Sequence, residues 1–249
     1  MHDMENSEFF RRIDDLSDRA RRRGVVTRTA FLTPAEAYAL GQYYRGEGLV
    51  LSGGQRDCQR QAAFFLPEFM TPEDLDISAY IQAVRIEAHF GAPGHRDYLG
   101  AALGLGIGRA SLGDVRIEES TAHLFCLPSV TPVLLDELKK VGRWGVTVTP
   151  CALDDVPPAV LKTRALSFTV KSLRLDAVTG ALFGLSRTAA AEQIRLGLVS
   201  LNYSVCDRTD AAVNEGDVIS LRGHGKGRLA ALGGRSKKDR LFVEAEVYL

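Results

Sequence analysis

The sequence predicts an α+β protein in three parts: a small N-terminal α/β unit, a middle domain that alternates strands and helices, and a C-terminal module of two short helices followed by strands. Three observations carry that prediction. The 249 residues are 45% hydrophobic and 25% charged, an ordinary globular composition in a chain long enough for two or three domains. Hydrophobic spacing is helical over much of residues 8 to 45 and changes from Ile77 onward to strand and helix periods in turn. An Asp-Asp-Val-Pro-Pro run at residues 154–158 then breaks the pattern ahead of the last module. The expected boundaries are 1–75, 76–158 and 172–249.

Residues 8 to 23 set Phe9, Phe10, Ile13, Leu16 and Ala20 at helical spacing, with Arg21, Arg22 and Arg23 in the last turn and Gly24 beyond. That is an amphipathic helix whose C-terminal dipole is complemented by cations. A second helix opens at Thr33, where Pro34 suits the first helical position and Glu36 completes a capping box, and it runs to about Arg45. A short strand at Leu49, Val50 and Leu51 meets the Ser52-Gly53-Gly54 turn, and a polar, basic segment from Gln55 reads as a helix ahead of Pro67.

In the middle part, Tyr80 to Ala88 alternates as a strand and His95 to Leu105 reads as a helix. Two strands follow around a turn near Glu118 to Thr121, then a helix from Thr131 to Val141 and a strand from Trp144 to Thr149. The order β-α-β-β-α-β is that of ferredoxin-like and RRM folds. An RRM that reads RNA on its sheet presents aromatics from its central strands. Here the stretch from Ala122 to Leu127 offers only His123 and Phe125, so that binding mode is weakly supported.

Past the strand-like stretch from Lys162 to Val170, Arg174-Leu175-Asp176 opens one helix. Ser186 caps another that begins at Arg187 and stops at Gly197. A strand from Val199 to Asn202, a Gly216-Asp217 turn into Val218 to Leu221, and an alternating strand with Leu241, Val243, Ala245 and Val247 on one side complete the module. This pattern resembles the S-four-type (αL) RNA-binding motif. A helix N-terminus with free N–H groups, joined by guanidinium forks, suits phosphate oxygens. The candidate RNA contacts are Arg174, Ser186, Arg187, Thr188, Arg195, Asn202, Arg222, Lys226, Arg228, Lys237 and Lys238. Residues 171 to 249 hold twelve Lys and Arg against nine Asp and Glu, a local excess of three positive charges. The cations from Arg222 to Arg240 are interleaved with Gly223, Gly225, Gly227, Gly233 and Gly234, which permit close backbone approach; alone such a run suits a solvated hairpin with flexible loops, and joined to the αL pattern it points to RNA.

Bulk properties narrow the class. Lys plus Arg (31) balances Asp plus Glu (31), so any nucleic-acid surface has to be local. Cys58, Cys126, Cys151 and Cys206 form no CxxC or Cys/His cluster, which argues against a zinc site or a redox pair, and no cofactor motif is present. No apolar run has membrane-spanning length and no signal-peptide layout opens the chain, so a cytoplasmic protein without membrane contact is expected.

The stretch from Gly94-His95-Arg96-Asp97-Tyr98 to Gly100-Ala101, then Gly104 to Ile107, Gly113-Asp114, Gly53-Gly54 with its following polar helix, and Lys140-Val141-Gly142-Arg143 resemble the YlmH family over nearly the whole length. The resemblance implies an N-terminal unit, an RRM-like RNA-binding domain and an S-four domain, with rRNA, tRNA and the large ribosomal subunit as partners and a role in ribosome quality control. It also implies further RNA contacts at His95, Arg96 and Arg143. A cyanobacterial and plant branch of the family is linked instead to photosystem II. Cys58 and Gln59 depart from the charge expected in the helix after Gly54.

Three motifs point elsewhere. His95-Arg96-Asp97 matches part of a kinase catalytic loop, but Ala102 stands where the required Asn would be. Gly104-x-Gly106-x-Gly108 follows a helix and lacks the Gly-Lys-Ser/Thr of a phosphate loop. Arg174-Leu175-Asp176 with Thr179-Gly180 echoes the catalytic stretch of pseudouridine synthases, the serious enzyme rival, yet it lies inside the RNA-binding module with no second such motif before it. The preferred reading is a non-enzymatic RNA-binding protein with no catalytic residues. The alternatives are RNA pseudouridylation, a photosystem II-linked role, and binding of a protein partner through the middle domain.

Overall fold

A computed structural model describes residues 2–159 and 162–248. The chain is a mixed α/β protein, with six α-helices and three sheets among the described residues. It divides into two compact units, residues 1–159 and 160–249.

In the first unit, α1 (His2–Arg23) ends where Gly24 turns left-handed at φ +63° and its N–H bonds Ala20 O at 3.0 Å. β1 (Thr27–Arg28) leads into α2 (Pro34–Tyr43), whose capping box is complete: Thr33 N donates to Glu36 Oε2 at 2.7 Å, and Glu36 N donates to Thr33 Oγ1 at 3.3 Å. The helix stops two residues before the expected end because Tyr44 turns extended and sets its ring edge-on against Phe65, 5.3 Å between centroids. β2 (Leu49–Ser52) and β3 (Ala62–Phe65) complete an antiparallel sheet in the order β1-β3-β2.

The helix expected after Gly54 is absent. Residues 55–60 are turns, with Asp57 at φ +63°, because the Asp114 carboxylate takes the backbone N–H groups of Gln59 (2.6 Å) and Arg60 (3.1 Å) out of any helical ladder. The strand that follows, β3, is fully buried.

β4 (Gln82–Ala88), α3 (His95–Gly104), β5 (Leu112–Glu118), β6 (Thr121–Cys126), α4 (Thr131–Glu137), β7 (Lys140–Val141) and β8 (Trp144–Cys151) follow. The strands form an antiparallel sheet in the order β5-β6-β4-β8-β7. The helix expected from Thr131 to Val141 ends at Glu137, and Lys140 and Val141 pair instead with Gly145 and Trp144 around Gly142 at φ +58°.

One face of this sheet packs Val84, Ile86, Leu124 and Val146 on Tyr98, Ala102, Leu134 and Leu138 of the helical layer. The other face sets Ala83 and Phe125 into a core with Phe31, Phe64 and Ile81, so the N-terminal strands and the middle sheet share buried surface. Gly54, at φ +103°, allows the close approach: a Cβ there would stand 2.8 Å from the Phe125 ring.

In the second unit β9 (Thr163–Val170) precedes α5 (Leu175–Phe183) and α6 (Arg187–Arg195), and β10 (Val199–Leu201), β11 (Ser204–Val205), β12 (Val218–Leu221), β13 (Gly225–Arg235) and β14 (Leu241–Tyr248) follow. They build one antiparallel sheet in the order β11-β10-β12-β13-β14-β9. Leu175, Val178 and Leu182 of α5 and Ile194 of α6 cover its inner face of Ile219, Leu221, Leu229, Val243 and Ala245. The Gly-rich basic segment is thus an eleven-residue central strand and not a flexible loop; Gly227 admits Leu182, which would lie 2.9 Å from a Cβ there.

Candidate nucleic-acid interface

The site begins with a buried carboxylate. Asp176 lies in the first turn of α5, 5% exposed, and receives two guanidiniums. Arg174 donates through Nε (3.3 Å) and Nη2 (3.1 Å), and Arg187, first residue of α6, through Nε (3.1 Å) and Nη2 (3.0 Å). Burial alone would raise the Asp176 pKa. The hydrogen bonds and charges of Arg174 and Arg187 outweigh it and hold the group below the ordinary carboxylate range. The Asp176 bonds in turn raise the pKa of Arg174. Both guanidiniums are therefore fixed at adjoining helix N-termini while their side chains stay 39% and 58% exposed. Two oriented forks with N–H groups still facing solvent match the oxygens of a phosphodiester.

Around this pair the expected residues take different roles. Ser186 Oγ accepts from Ala189 N at 3.1 Å and is spent as the α6 cap, with Thr188 exposed beside it. Arg195 is exposed at the other end of α6, about 12 Å from Arg187 at 1.5 Å rise per residue. Asn202 is 8% exposed, at φ +49°; its Nδ2 donates to Asp217 Oδ1 at 2.8 Å and its Oδ1 accepts from Val218 N at 2.9 Å, tying the β10–β11 turn to the start of β12.

Lys226 and Arg228 alternate with Gly227 and Leu229, which face the helices, so the two cations stand on the outer face of the sheet, away from Arg174 and Arg187. Lys226 holds its ammonium 4.4 Å over the Tyr248 ring, and burial lowers its pKa. Arg222 is exposed in the β12–β13 turn, and Lys237 and Lys238 in the β13–β14 turn at the far end of the strand. Eleven residues at about 3.3 Å each separate those turns by roughly 30 Å. The cations that sequence grouped together thus form separate patches.

In the first unit, Asp97 Oδ2 accepts from Gly94 N at 2.8 Å and caps α3, leaving His95 and Arg96 exposed on its first turn. The Gly142 turn lies beside them, since a Cβ built there would be 3.9 Å from Asp97 Oδ1. Arg143 stacks on Trp144 at 5.0 Å. Lys139 and Lys140, not among the expected RNA contacts although Lys140 belongs to the stretch that carries the family resemblance, are exposed on the same hairpin; a Lys-Lys pair ahead of Val-Gly-Arg was the available signal. The sheet offers no aromatic platform. Phe125 is wholly buried, and His123 is 6% exposed with its pKa lowered by burial. The part of that face left open, a cavity of about 800 Å³, is lined by Glu118, Glu119 and Asp155 against Arg85 alone among the fully charged side chains, an arrangement that repels phosphate.

Comparison with known proteins gives the family of the chain. Residues 72–155 match the family model described as "Putative RNA-binding domain in YlmH". The chain is 32% identical over 220 residues to the ribosome-associated protein quality control protein P2 of Bacillus subtilis (strain 168), covering 88% of this chain and 86% of that protein. The chain belongs to the YlmH family. The solved cell division protein ylmH from Streptococcus pneumoniae is similar at a TM-score of 0.44 and 21% identity, covering 59% of this chain and 87% of that one, too distant to bear on the fold.

Within this YlmH-family chain, the matched segment contains the whole five-stranded sheet and both of its helices. Asp176, which sequence reasoning met only as a possible catalytic aspartate, is here the clamp between two arginines. Its Oδ2 accepts from both guanidiniums and its Oδ1 from Arg174. No helix among the described residues is long and apolar enough to cross a membrane, and no group of His, Cys, Asp or Glu among them is placed to hold a metal.

Proposed function

We propose that this chain is a non-enzymatic RNA-binding protein that engages structured ribosomal RNA, together with tRNA, on the large ribosomal subunit in the cytoplasm. The role is the one carried by the name of its B. subtilis relative, ribosome-associated quality control. The observation that supports this reading most is the Arg174–Asp176–Arg187 clamp, which presents two preoriented guanidiniums at helix N-termini.

The finer fold belongs to the same reading. The α5–α6 pair leading into β10 and β12 supports an S-four-type module, with residues 172–249 as its extent and β9 added to its sheet. The order β5-β6-β4-β8, all antiparallel, supports an RRM-like middle domain over 76–158, which β7 extends at one edge. The N-terminal part, 1–75, covers the sheet face that carries Phe125, so RNA contact by this domain falls to His95, Arg96 and Arg143 at its rim.

The test is equilibrium binding of the full chain to large-subunit ribosomal RNA across a salt series. Contacts to phosphate give a log-log slope of about −0.7 to −0.9 per phosphate neutralised. Arg174→Ala with Arg187→Ala lowers the affinity and flattens the slope by about one to two phosphates. An affinity indifferent to salt, or unchanged in the double variant, refutes the reading.

A further inference from the structure

We infer a second ligand site in the first unit: a pocket between α1 and the β1–α2 segment that accepts a nucleotide, its phosphate on Arg12, Arg60 and Arg109 and its base against Phe9. The cavity measures about 310 Å³, the low end of the range for small-ligand pockets. This site stands apart from the C-terminal clamp and does not depend on the RNA reading of that unit.

Two of its arginines are built in. Leu112 O accepts from both Arg60 Nε (3.1 Å) and Arg109 Nη1 (2.5 Å), Phe31 O accepts from Arg60 Nη2 (2.9 Å), and Gly113 O from Arg109 Nη1 (3.3 Å). Both guanidiniums are thus half-buried and immobilised side by side by neutral carbonyls. Nη1 of Arg60 and Nη2 of Arg109 have no hydrogen-bond partner among the described residues. Burial, and next the charge of Arg60, lower the Arg109 pKa, and the charge of Asp114 offsets part of that.

Arg12 reaches the same cavity from α1 and makes no hydrogen bond or ion pair among the described residues. The one carboxylate in the lining, Glu36, is engaged by Thr33 N and Oγ1 at 2.7 and 2.8 Å. Against the three guanidiniums stand Glu36, engaged by Thr33, and Asp114, whose charge reaches both Arg60 and Arg109 while its oxygens accept from Gln59 N and Arg60 N, which leaves one positive charge for an anion. Phe9, half-buried over the closed apolar floor of Ile13, Phe31 and Leu32, offers its ring to a flat, weakly polar group attached to that anion. A nucleotide supplies both, as a free molecule or as an unstacked residue of an RNA strand.

Calorimetric titration of the full chain with adenosine 5′-monophosphate, adenosine, inorganic phosphate and an adenosine dodecamer separates the cases. The expected result is saturable binding of the monophosphate, with adenosine and inorganic phosphate each at least about tenfold weaker, since each offers half of the contacts. Arg12→Glu, an exposed position, lowers monophosphate affinity by about ten- to a hundredfold at an unchanged melting temperature. Dodecamer binding that is tighter than the monophosphate and equally sensitive to Arg12→Glu assigns the site to RNA; an Arg12-insensitive dodecamer assigns it to the free nucleotide. Absence of saturable monophosphate binding, phosphate binding as tightly as the nucleotide, or an Arg12→Glu variant that binds as wild type overturns the proposal.

Discussion

Replacing Asp176 by Asn removes one negative charge from a side chain that is 7% accessible and serves two guanidiniums, so it isolates what the clamp contributes. The amide keeps one acceptor oxygen but turns an NH2 toward groups that only donate. Breaking a fully buried ion pair costs about 3–5 kcal/mol, but here the partners are 39% and 58% exposed and water can take over their bonds. Loss of charge-assisted hydrogen bonds to partly solvated partners then costs about 2 kcal/mol, or roughly a thirtyfold rise in the opening equilibrium of the α5–α6 segment. Hydrogen exchange of the α5 and α6 amides reads that ratio directly.

The pH dependence follows from the depressed Asp176 pKa. A carboxylate whose folded pKa lies below its unfolded value, about 3.9, contributes its full stability above that value and loses it as pH falls through the folded one. Protection of α5 and α6 in the wild type should therefore drop on acidification below about pH 4, and the Asn variant should lack that component. RNA affinity gives a second sign. The variant carries one more net positive charge, so attraction alone predicts tighter binding, whereas loss of the orienting carboxylate predicts weaker binding. Unchanged protection at neutral pH, or tighter RNA binding, refutes the clamp.

Three further outcomes follow from the same structure. Gly54→Ala meets both the φ of +103° and the Phe125 ring 2.8 Å from the new Cβ, and should cost about 2–4 kcal/mol, read as a lower urea midpoint by Trp144 fluorescence; an unmoved midpoint means the ring yields freely. Thr33→Ala removes the α2 capping box and should cost about 1 kcal/mol, a fall of roughly 2–4 °C in Tm; an unchanged Tm would show that water caps the helix equally well. Burial pushes the Cys126 thiol up to about 11, so at pH 8 alkylation followed by mass spectrometry should label the partly exposed Cys206 well before Cys126; equal rates would contradict its burial.

Much of the fold was legible where local chemistry agrees with tertiary structure. The Thr33 and Ser186 caps, the Gly24 and Gly197 stops and the alternation from Leu241 to Val247 each act within a few residues. The misses share one cause, a distant partner that overrides a local signal. Leu134, Leu138 and Val141 fit a helical period, yet Val141 enters the same core from a strand. Glycines weaken β13 as a strand, but pairing with β12 and β14 on both sides, and Leu182 filling the space above Gly227, make it central. The residues after Gly54 follow the Asp114 carboxylate, more than fifty positions away in sequence. The candidate site was legible by residue type and not by grouping: Arg187 of α6 joins Arg174 only through Asp176 in the first turn of α5, eleven residues before it.

An evenly balanced chain can still bind a polyanion if its charges are sorted in space, and the first unit shows such sorting. Its sheet runs β5-β6-β4-β8-β7, so four inter-strand spacings of about 4.8 Å set the β7 edge some 19 Å from the β5 edge. Lys139, Lys140 and Arg143 stand at the β7 edge beside His95 and Arg96, while Glu118 and Glu119 stand at the β5–β6 turn. That separation exceeds two Debye lengths at physiological salt, about 8 Å each, so the two groups act on a nearby strand separately instead of cancelling. Under the proposed function, a phosphate backbone would be drawn to one rim and turned away from the other, which would fix an orientation without any base being read. In that reading the acidic side chains would act by exclusion, and net charge alone is a poor guide to whether such a chain binds RNA.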